Sequence, residues 1–207
     1  MSIELPATQR DEIKTKLLAS IAALDPQQAL LPSESDSLTP LIEKLEVCTP
    51  ISYPLSPERH SALLGEWVLI YASRGTVVTR RLPLVPSFLG GITLERVWQM
   101  LSTSSNQTVA SENGAALDIP IVGKVRVCAN GFWRWELGEM QTAQVSFNSF
   151  SVQLQQPLGW LDWPLPNLKV PVLEFLRQEA EWTTSYLDEN LRIGRGATGN
   201  LFVFKRV

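Results

Sequence analysis

The sequence predicts a mainly β protein, an antiparallel barrel or sandwich, with short helices at its N-terminal end. Apolar residues recur at helical spacing only in the first fifty residues, and an alternating pattern begins at Gly65 and returns to the end of the chain. Turn residues separate roughly eight to ten short strands, which is typical of a barrel or sandwich. We expect residues 1–50 to form a helical appendage and residues 51–207 to form one β-barrel domain.

Composition excludes several classes of protein. The chain has 207 residues and a net charge of −3, with 44% hydrophobic and 19% charged residues. This length can bury a core without a metal or a disulfide. Seven Trp, three Tyr and seven Phe are too many aromatic residues for a disordered chain. A weakly acidic chain also lacks the basic surface that a nucleic-acid partner requires.

The N-terminal residues and the two cysteines bear on the compartment. Met1–Lys14 has no basic-then-apolar pattern and carries Glu4, Asp11 and Glu12, so we expect no signal or transit peptide. No run approaches the roughly 18 apolar residues that span a bilayer. The two cysteines are eighty residues apart and predict small core side chains rather than a disulfide. The expected location is the cytosol or the cytoplasmic side of a membrane.

Two N-terminal segments are predicted to be helices. The first carries Ile13, Leu17, Ile21 and Leu24 at helical spacing. The second runs through Val47, and Thr39–Pro40 is suited to be its N-cap and first-turn pair. Both are expected to pack against the β domain through their apolar faces.

The first long strand, Glu66–Ser73, is apolar on both faces. Alternation places Trp67, Leu69 and Tyr71 on one face, so the strand must be covered on both sides, as between a barrel interior and an outer helix. The other predicted strands are Thr76–Leu82, Ile92–Leu101, Thr108–Ser111, Ala115–Ile119, Ile121–Cys128, Phe132–Gly138, Gln141–Leu154, Glu181–Leu187, Leu191–Gly194 and Asn200–Lys205.

Two Asn-Gly pairs, Asn113–Gly114 and Asn130–Gly131, predict hairpin turns. After the second pair, Trp133 and Trp135 share one strand face. Within Gln141–Leu154 the apolar parity shifts between residues 147 and 150, which predicts a turn or a β-bulge.

Two Pro-rich apolar segments, residues 81–91 and 156–177, interrupt the strand pattern. Long loops of this kind are usually functional or disordered, and these are too apolar for disorder. They supply our candidates for membrane or partner contact, Leu84, Phe88, Trp160, Trp163 and Phe175.

Familiar catalytic patterns are absent from the sequence. The single histidine, His60, lies in a polar turn, and no nucleophile elbow or zinc-protease motif occurs. Gly194–Gly199 fits the letters of the dinucleotide motif G-x-G-x-x-G, but a strand rather than a helix follows it. The glycines therefore predict a hairpin, and we expect no metal and no cofactor.

Two charged groups allow more than one interpretation. Asp188, Glu189, Arg192 and Arg195 predict a turn with ion pairs at a barrel rim, with a catalytic role as the alternative. Arg80 and Arg81, beside the first Pro-rich segment, are candidates for holding a phosphate or carboxylate head group, or else they only end a strand.

Gly65-Glu66-Trp67 resembles the G-x-W motif at the first strand of lipocalins and their relatives. In those proteins the Trp plugs the closed end of the barrel and often stacks under an Arg from a late strand. The resemblance implies Arg206 or Arg192 as the partner of Trp67 here.

Three segments taken together resemble the plastid-lipid-associated protein family, also called fibrillins: Leu41–Glu46, Leu64–Ser73 and Tyr186–Arg206. The last matches the family's Y-L-D-x-x-L-R-I-x-R-G ending, and Leu94–Gln99 is similar to a strand region of the family. The resemblance covers residues 40–206 and is weakest over 156–177.

The resemblance implies a lipocalin-like barrel that binds or organises lipids, carotenoids or prenylquinones at thylakoids or lipid bodies. Some members assist prenylquinone synthesis by docking on a prenyl diphosphate synthase. The family has no agreed catalytic residues. With no transit peptide expected, it implies a cyanobacterial member, peripheral to the cytoplasmic side of the thylakoid membrane.

Three functions follow as hypotheses. The first is a non-catalytic carrier that holds a lipophilic small molecule in the barrel, its alternative being that the aromatic residues fill a solid core. The second is a scaffold that docks on a membrane-associated enzyme. An enzyme acting on a lipophilic substrate ranks last. The candidate ligand-binding residues, expected to line the barrel interior or its mouth, are Trp67, Tyr71, Arg80, Arg96, Trp98, Trp133, Trp135, Tyr186 and Arg192.

Overall fold

A computed structural model describes residues 7–30, 38–74, 91–105, 107–120, 122–157, 168–170 and 179–207. The predicted strand at 76–82 lies outside these residues. So do seven of the candidate site residues, namely Arg80, Arg81, Leu84, Phe88, Trp160, Trp163 and Phe175.

Three α-helices lie in the N-terminal part of the described chain: α1 (Ala7–Ala22), α2 (Pro26–Leu30) and α3 (Thr39–Val47), with a 3₁₀ turn at His60–Leu63. Helices α1 and α3 confirm the two predicted helices. Pro40 lies in the first turn of α3, where its missing N–H costs no helical hydrogen bond. The N-cap prediction for Thr39 was wrong, because the helix already includes Thr39 and its N-cap is Leu38. Helix α2 was not predicted, because five residues are too short to show a helical period.

The strands are β1 (Gly65–Ala72), β2 (Thr93–Ser105), β3 (Thr108–Ile119), β4 (Gly123–Arg134), β5 (Thr142–Pro157), β6 (Leu168–Val170), β7 (Ala180–Leu187), β8 (Leu191–Gly196) and β9 (Leu201–Arg206). All pairings are antiparallel. Among the described strands, eight close a ring in the order β1–β2–β3–β4–β5–β7–β8–β9, and β6 pairs with β5 outside it. The prediction of a mainly β antiparallel barrel with N-terminal helices is confirmed.

Both Asn-Gly hairpin predictions were wrong. Strands β3 and β4 run straight through these pairs, and Gly114 pairs with Cys128 in the middle of their ladder. A Cβ on Gly114 would lie 2.0 Å from the Trp98 ring, and one on Gly131 would lie 2.0 Å from the Ser146 carbonyl oxygen. These glycines allow close packing within a strand rather than a turn.

The predicted parity shift in the fifth strand is confirmed as a β-bulge. Ser149 pairs with Asn130 and Phe147 pairs with Gly131, so Asn148 is the extra residue. The bulge bends β5 and lets its two halves face different neighbours. The first half pairs with β7 and the second with β6.

Two apolar clusters lie on opposite sides of the sheet. The interior cluster lines the barrel and includes Leu63, Trp67, Leu69, Leu94, Leu101, Val109, Ala115, Leu117, Val125, Trp133 and Phe204. The helix-facing cluster joins α1 and α3 to the outside of β1, β7, β8 and β9 through Leu17, Ile21, Ile42, Leu45, Tyr71, Tyr186, Leu191, Ile193 and Val203. Leu30 of α2 belongs to the interior cluster, so the N-terminal helices contribute to both. The division of the chain at residue 50 stays a prediction.

Candidate functional site

The closed end of the barrel is formed by Trp67 and Arg206. Trp67 is fully buried, and its indole N–H donates to the Leu63 carbonyl at 2.7 Å. The Arg206 guanidinium carbon lies 4.0 Å from the centre of the Trp67 ring, a cation–π distance. The stack between Trp67 and a late arginine, implied by the lipocalin resemblance, is therefore present.

Arg206 also binds the chain that leads into β1. It donates to the carbonyls of Leu64 at 2.6 Å and Ala62 at 2.5 Å. Gly65 has a φ of 113°, and a Cβ there would lie 2.9 Å from the Arg206 side chain. The glycine of the motif thus meets two needs, a left-handed backbone and room for the guanidinium.

Arg192 lies inside the barrel above this plug. Its side chain is fully buried, and its guanidinium carbon lies 4.5 Å from the ring centre of Phe204, 5.0 Å from Trp67 and 5.5 Å from Trp133. One nitrogen, Nη2, donates to Gln99 Oε1 at 2.5 Å, while Nε and Nη1 have no hydrogen-bond partner. The prediction of a rim position for Arg192 was wrong.

The environment of Arg192 carries no compensating negative charge within the described part of the chain. Burial and, to a smaller extent, the nearby positive charge of Arg206 together lower the pKa of Arg192 to about 9. Among the described ion pairs, none involves Arg192. A buried charge is usually paired, so this guanidinium is an exception that calls for an explanation.

Gln99, which contacts Arg192, and other buried polar side chains of the described barrel strands are here called the polar layer. Gln99 pairs with Asn113 across β2 and β3 and donates to its Oδ1 at 2.6 Å, which leaves Asn113 Nδ2 unpaired. The other unpaired buried donors in the described chain are the indole nitrogens of Trp133 and Trp182 and the hydroxyls of Ser111 and Thr184. The remaining unpaired buried atom among the described residues, Asn200 Oδ1, can only accept and belongs to the turn before β9.

An apolar layer lies between this polar layer and the open end. From Asn113 the register of β3 continues to the inward-facing Ala115 and Leu117, which pair with Val127 and Val125 of β4. On β5, Val152 and Leu154 pair with the same two residues. The barrel therefore presents a polar floor beneath apolar walls.

The walls are not equally buried. Leu69 of β1 and Phe204 of β9 are almost fully buried. On β4 and β5, by contrast, the inward side chains of Val127, Val152 and Leu154 are half-buried although they pack against the interior cluster. The β4–β5 side of the interior is thus filled less completely than the β1–β9 side.

Trp98 and Arg96 lie outside the barrel, contrary to prediction. Gln99 and Leu101 face the interior, so Trp98 and Met100, which alternate with them along β2, face out. Trp98 covers Gly114 and is itself covered by Arg126, whose guanidinium carbon lies 4.7 Å from the ring centre. Arg96 is partly exposed and pairs with Glu66 at 2.5 Å. Alternation alone could not tell which face of β2 would close inward.

Tyr71 and Tyr186 also face away from the interior. A register shift between Leu69 and Tyr71 turns Tyr71 towards α1 and α3, and one between Thr184 and Tyr186 does the same for Tyr186. The predicted common face of Trp67, Leu69 and Tyr71 was therefore wrong at Tyr71. A bulge adds one residue to a strand, so every side chain beyond it changes face.

The Tyr186 hydroxyl donates to Asp188 at 2.6 Å, and Lys14 of α1 binds the same carboxylate oxygen at 2.6 Å. Asp188 also accepts from the backbone N–H groups of Asn190 and Leu191. Burial raises the pKa of Asp188, but these hydrogen bonds outweigh it and hold the pKa below its ordinary value. The predicted charged turn is present at Asp188, where it fastens α1 to the barrel.

Trp133 and Trp135 lie on the interior side, as alternation predicted. Trp133 is fully buried and Trp135 is half-buried against the interior cluster. Sequence reasoning placed Trp182 on a strand but not among the site residues. Its ring lies 5.7 Å from Trp133 and 5.3 Å from Phe202, directly over Gly194, where a Cβ would be 2.0 Å away. The alternation of Trp182 with Thr184 was the available signal for this inner face.

Gln99, Asn113 and Ser111 were missed because nothing in the sequence marks a polar strand residue as buried. The arrangement offers one cation, one amide network and two indole N–H groups, chemistry that binds a hydrogen-bond acceptor. Within the described ranges, no group of three or more His, Cys, Asp or Glu side chains is placed to hold a metal. No described helix is long and apolar enough to cross a membrane.

Comparison with known proteins agrees with this architecture. The family model PAP_fibrillin matches residues 11–205. A curated relative, "Probable plastid-lipid-associated protein 8, chloroplastic" of Arabidopsis thaliana, is 24% identical over 205 residues, which are 96% of this chain and 73% of the relative. No solved structure gives a significant match. The chain belongs to the PAP_fibrillin family.

Proposed function

We propose that this protein is a non-catalytic carrier that holds a lipophilic small molecule, such as a lipid, carotenoid or prenylquinone, inside its barrel. The observation that carries the proposal is the half-buried apolar wall of β4 and β5, formed by Val127, Val152 and Leu154. A hydrocarbon chain placed against it would gain about 0.8 kcal/mol per buried CH₂. The family, one of whose relatives is named for plastid lipid association, supports the same proposal.

The direct test is mass spectrometry of an organic extract of natively purified protein. We expect a lipophilic compound in stoichiometric amount. Val127→Trp should fill the space and lower the extracted amount by more than half. Lys124→Trp, on the exposed face of the same strand, is the matched control and should leave it unchanged. A wild-type extract without lipid would show that the barrel is a solid core.

A second candidate is a scaffold that docks on a membrane-associated enzyme such as a prenyl diphosphate synthase. Its support is a group of exposed apolar side chains near the closed end, which includes Tyr53, Leu137 and Met140. The Met140 carbonyl accepts from the backbone N–H of Leu55, which brings the Tyr53 and Leu137 segments together. Such patches mark partner or membrane contacts.

Leu137 is 90% exposed, so Leu137→Ser should leave the fold intact while lowering co-purification with the synthase. Unchanged co-purification would count against the scaffold. We also propose peripheral association with thylakoid membranes or lipid bodies on the cytoplasmic side of a cyanobacterial cell. Sedimentation of the protein with isolated membranes, released by salt or carbonate, tests this location.

A further inference from the structure

The unpaired groups of the polar layer are almost all donors. Five of these atoms can only donate a hydrogen bond, namely Asn113 Nδ2, Trp133 Nε1, Trp182 Nε1, Arg192 Nε and Arg192 Nη1. Ser111 and Thr184 can donate as well. A site built from donors is complementary to a ligand group that only accepts, such as a carboxylate, a phosphate or a quinone carbonyl.

The charge of Arg192 favours one of these three acceptor groups over the others. Arg192 is a buried cation without a described counter-ion, so an anionic group would satisfy both its two free N–H groups and its charge. A quinone carbonyl would accept hydrogen bonds from the free N–H groups, but it would leave the positive charge of Arg192 without a counter-ion. A diphosphate would bring several negative charges against one buried guanidinium, with Arg206 already committed to backbone carbonyls. A single carboxylate carries the one negative charge that neutralises Arg192 and accepts hydrogen bonds from its free N–H groups.

The order of polar and apolar residues along the barrel axis determines how a ligand would be oriented inside it. The closed end below Arg192 is filled by Trp67 and Trp133, which are fully buried. The inward residues above the polar layer, such as Leu117 and Val152, are apolar. A carboxylate at Arg192 would therefore direct an attached chain towards the open end, along the less filled β4–β5 wall.

We propose that the ligand is a single-chain amphiphile with one ionised acid, whose carboxylate is held by Arg192 and whose tail lies along β4 and β5. Gln99 is a positioning residue, because its hydrogen bond to Nη2 leaves Nε and Nη1 for the ligand. This proposal rests on the carrier function above and names the chemical class of its ligand.

The test compares cis-parinaric acid, a fluorescent C18 fatty acid, with its methyl ester on protein freed of bound lipid. We expect wild-type protein to bind the acid at least tenfold more tightly than the ester. Arg192→Met should lower acid affinity to that of the ester and leave ester affinity within about twofold. The matched control is Arg126→Met, which removes an arginine from an aromatic ring on the outer face and should keep the preference.

Each outcome decides between the proposals. Binding of both probes without a preference for the acid overturns the carboxylate site but leaves the carrier function standing. A preference that survives in Arg192→Met overturns the role of Arg192. Binding of neither probe overturns the carrier function itself. The acid–ester comparison on unaltered protein and on Arg192→Gln keeps the test valid if Arg192→Met does not fold.

Discussion

Replacing Arg192 by Met tests whether the buried guanidinium serves the ligand or the fold. The side chains have similar length, and Met can pack against Trp67, Trp133 and Phe204 without a charge. If the Arg192 guanidinium stabilises the fold, its removal must greatly lower the free energy of unfolding. If it is held for a ligand, the empty barrel should tolerate the change.

The expected magnitude follows from the site. A fall of the Arg192 pKa from its ordinary value to about 9 means that the charged form is disfavoured in the fold by about 5 kcal/mol. The cation–π contacts with three aromatic rings stabilise the charged guanidinium by roughly 0.5–1 kcal/mol each. The hydrogen bond from Arg192 to Gln99 stabilises the charged form by about 1.5–3 kcal/mol. These contributions nearly cancel, so we expect Arg192→Met to change the free energy of unfolding by less than about 2 kcal/mol.

Urea unfolding of lipid-free protein measures this difference. Arg126→Met, on the outer face, controls for the loss of an arginine stacked on an aromatic ring. A loss of more than about 3 kcal/mol in Arg192→Met would refute the reasoning, because it would show that the guanidinium stabilises the fold.

The pH dependence provides an independent check with a definite sign. Above about pH 9 the folded protein releases the Arg192 proton, while the unfolded chain keeps it to the ordinary pKa of arginine. The unfolded state then binds more protons, so stability rises with pH. Between pH 8 and pH 10 wild-type protein should gain about 1 kcal/mol relative to Arg192→Met. Parallel curves for the two proteins would contradict the buried charge.

Three further predictions follow from the same contacts. Asp188→Asn should lower stability by about 2–3 kcal/mol at pH 7, because Lys14 loses its buried partner; since the pKa of Asp188 is lowered, urea unfolding should show the gap closing as pH falls below the ordinary carboxylate range. Gly114→Ala should lower the free energy of unfolding by about 1–3 kcal/mol, because its Cβ meets Trp98, and a double-mutant cycle with Trp98→Ala should show a smaller loss. Affinity for the acid probe should fall as pH rises above about 9 while ester affinity stays constant, because Arg192 of the empty barrel becomes neutral; equal pH profiles in a fluorescence titration would contradict it.

The positions of most elements were predictable because their signals are local. The apolar spacing of α1, the Thr-Pro start of α3 and the alternation of β7 to β9 each lie within a few residues. The two Asn-Gly pairs misled for the same reason. Their turn propensity is local, whereas the need for Gly114 comes from Trp98, a residue on the neighbouring strand.

Which side of each strand forms the interior could not be predicted. Tyr71 and Tyr186 face the helices because bulges precede them, and a bulge changes the face of everything that follows. Trp98 faces out because Gln99 and Leu101 face in, a choice made when the ring of strands closes.

The sequence by itself indicated the family and the class of fold, and its resemblance to lipocalins implied that Arg206 or Arg192 stacks on Trp67. Leu191-Arg192-Ile193 alternates apolar and charged residues, a pattern that normally places the charge in water. Tertiary structure reversed this, because α1 and α3 cover the outer face and bury Leu191 and Ile193 there. Arg192 consequently points into the barrel, where burial in an aromatic cage turns an ordinary strand arginine into a candidate binding group. A strand that is buried on both faces has no solvent-exposed face. Only the packing of the whole chain therefore shows which of the two buried faces carries a charged side chain.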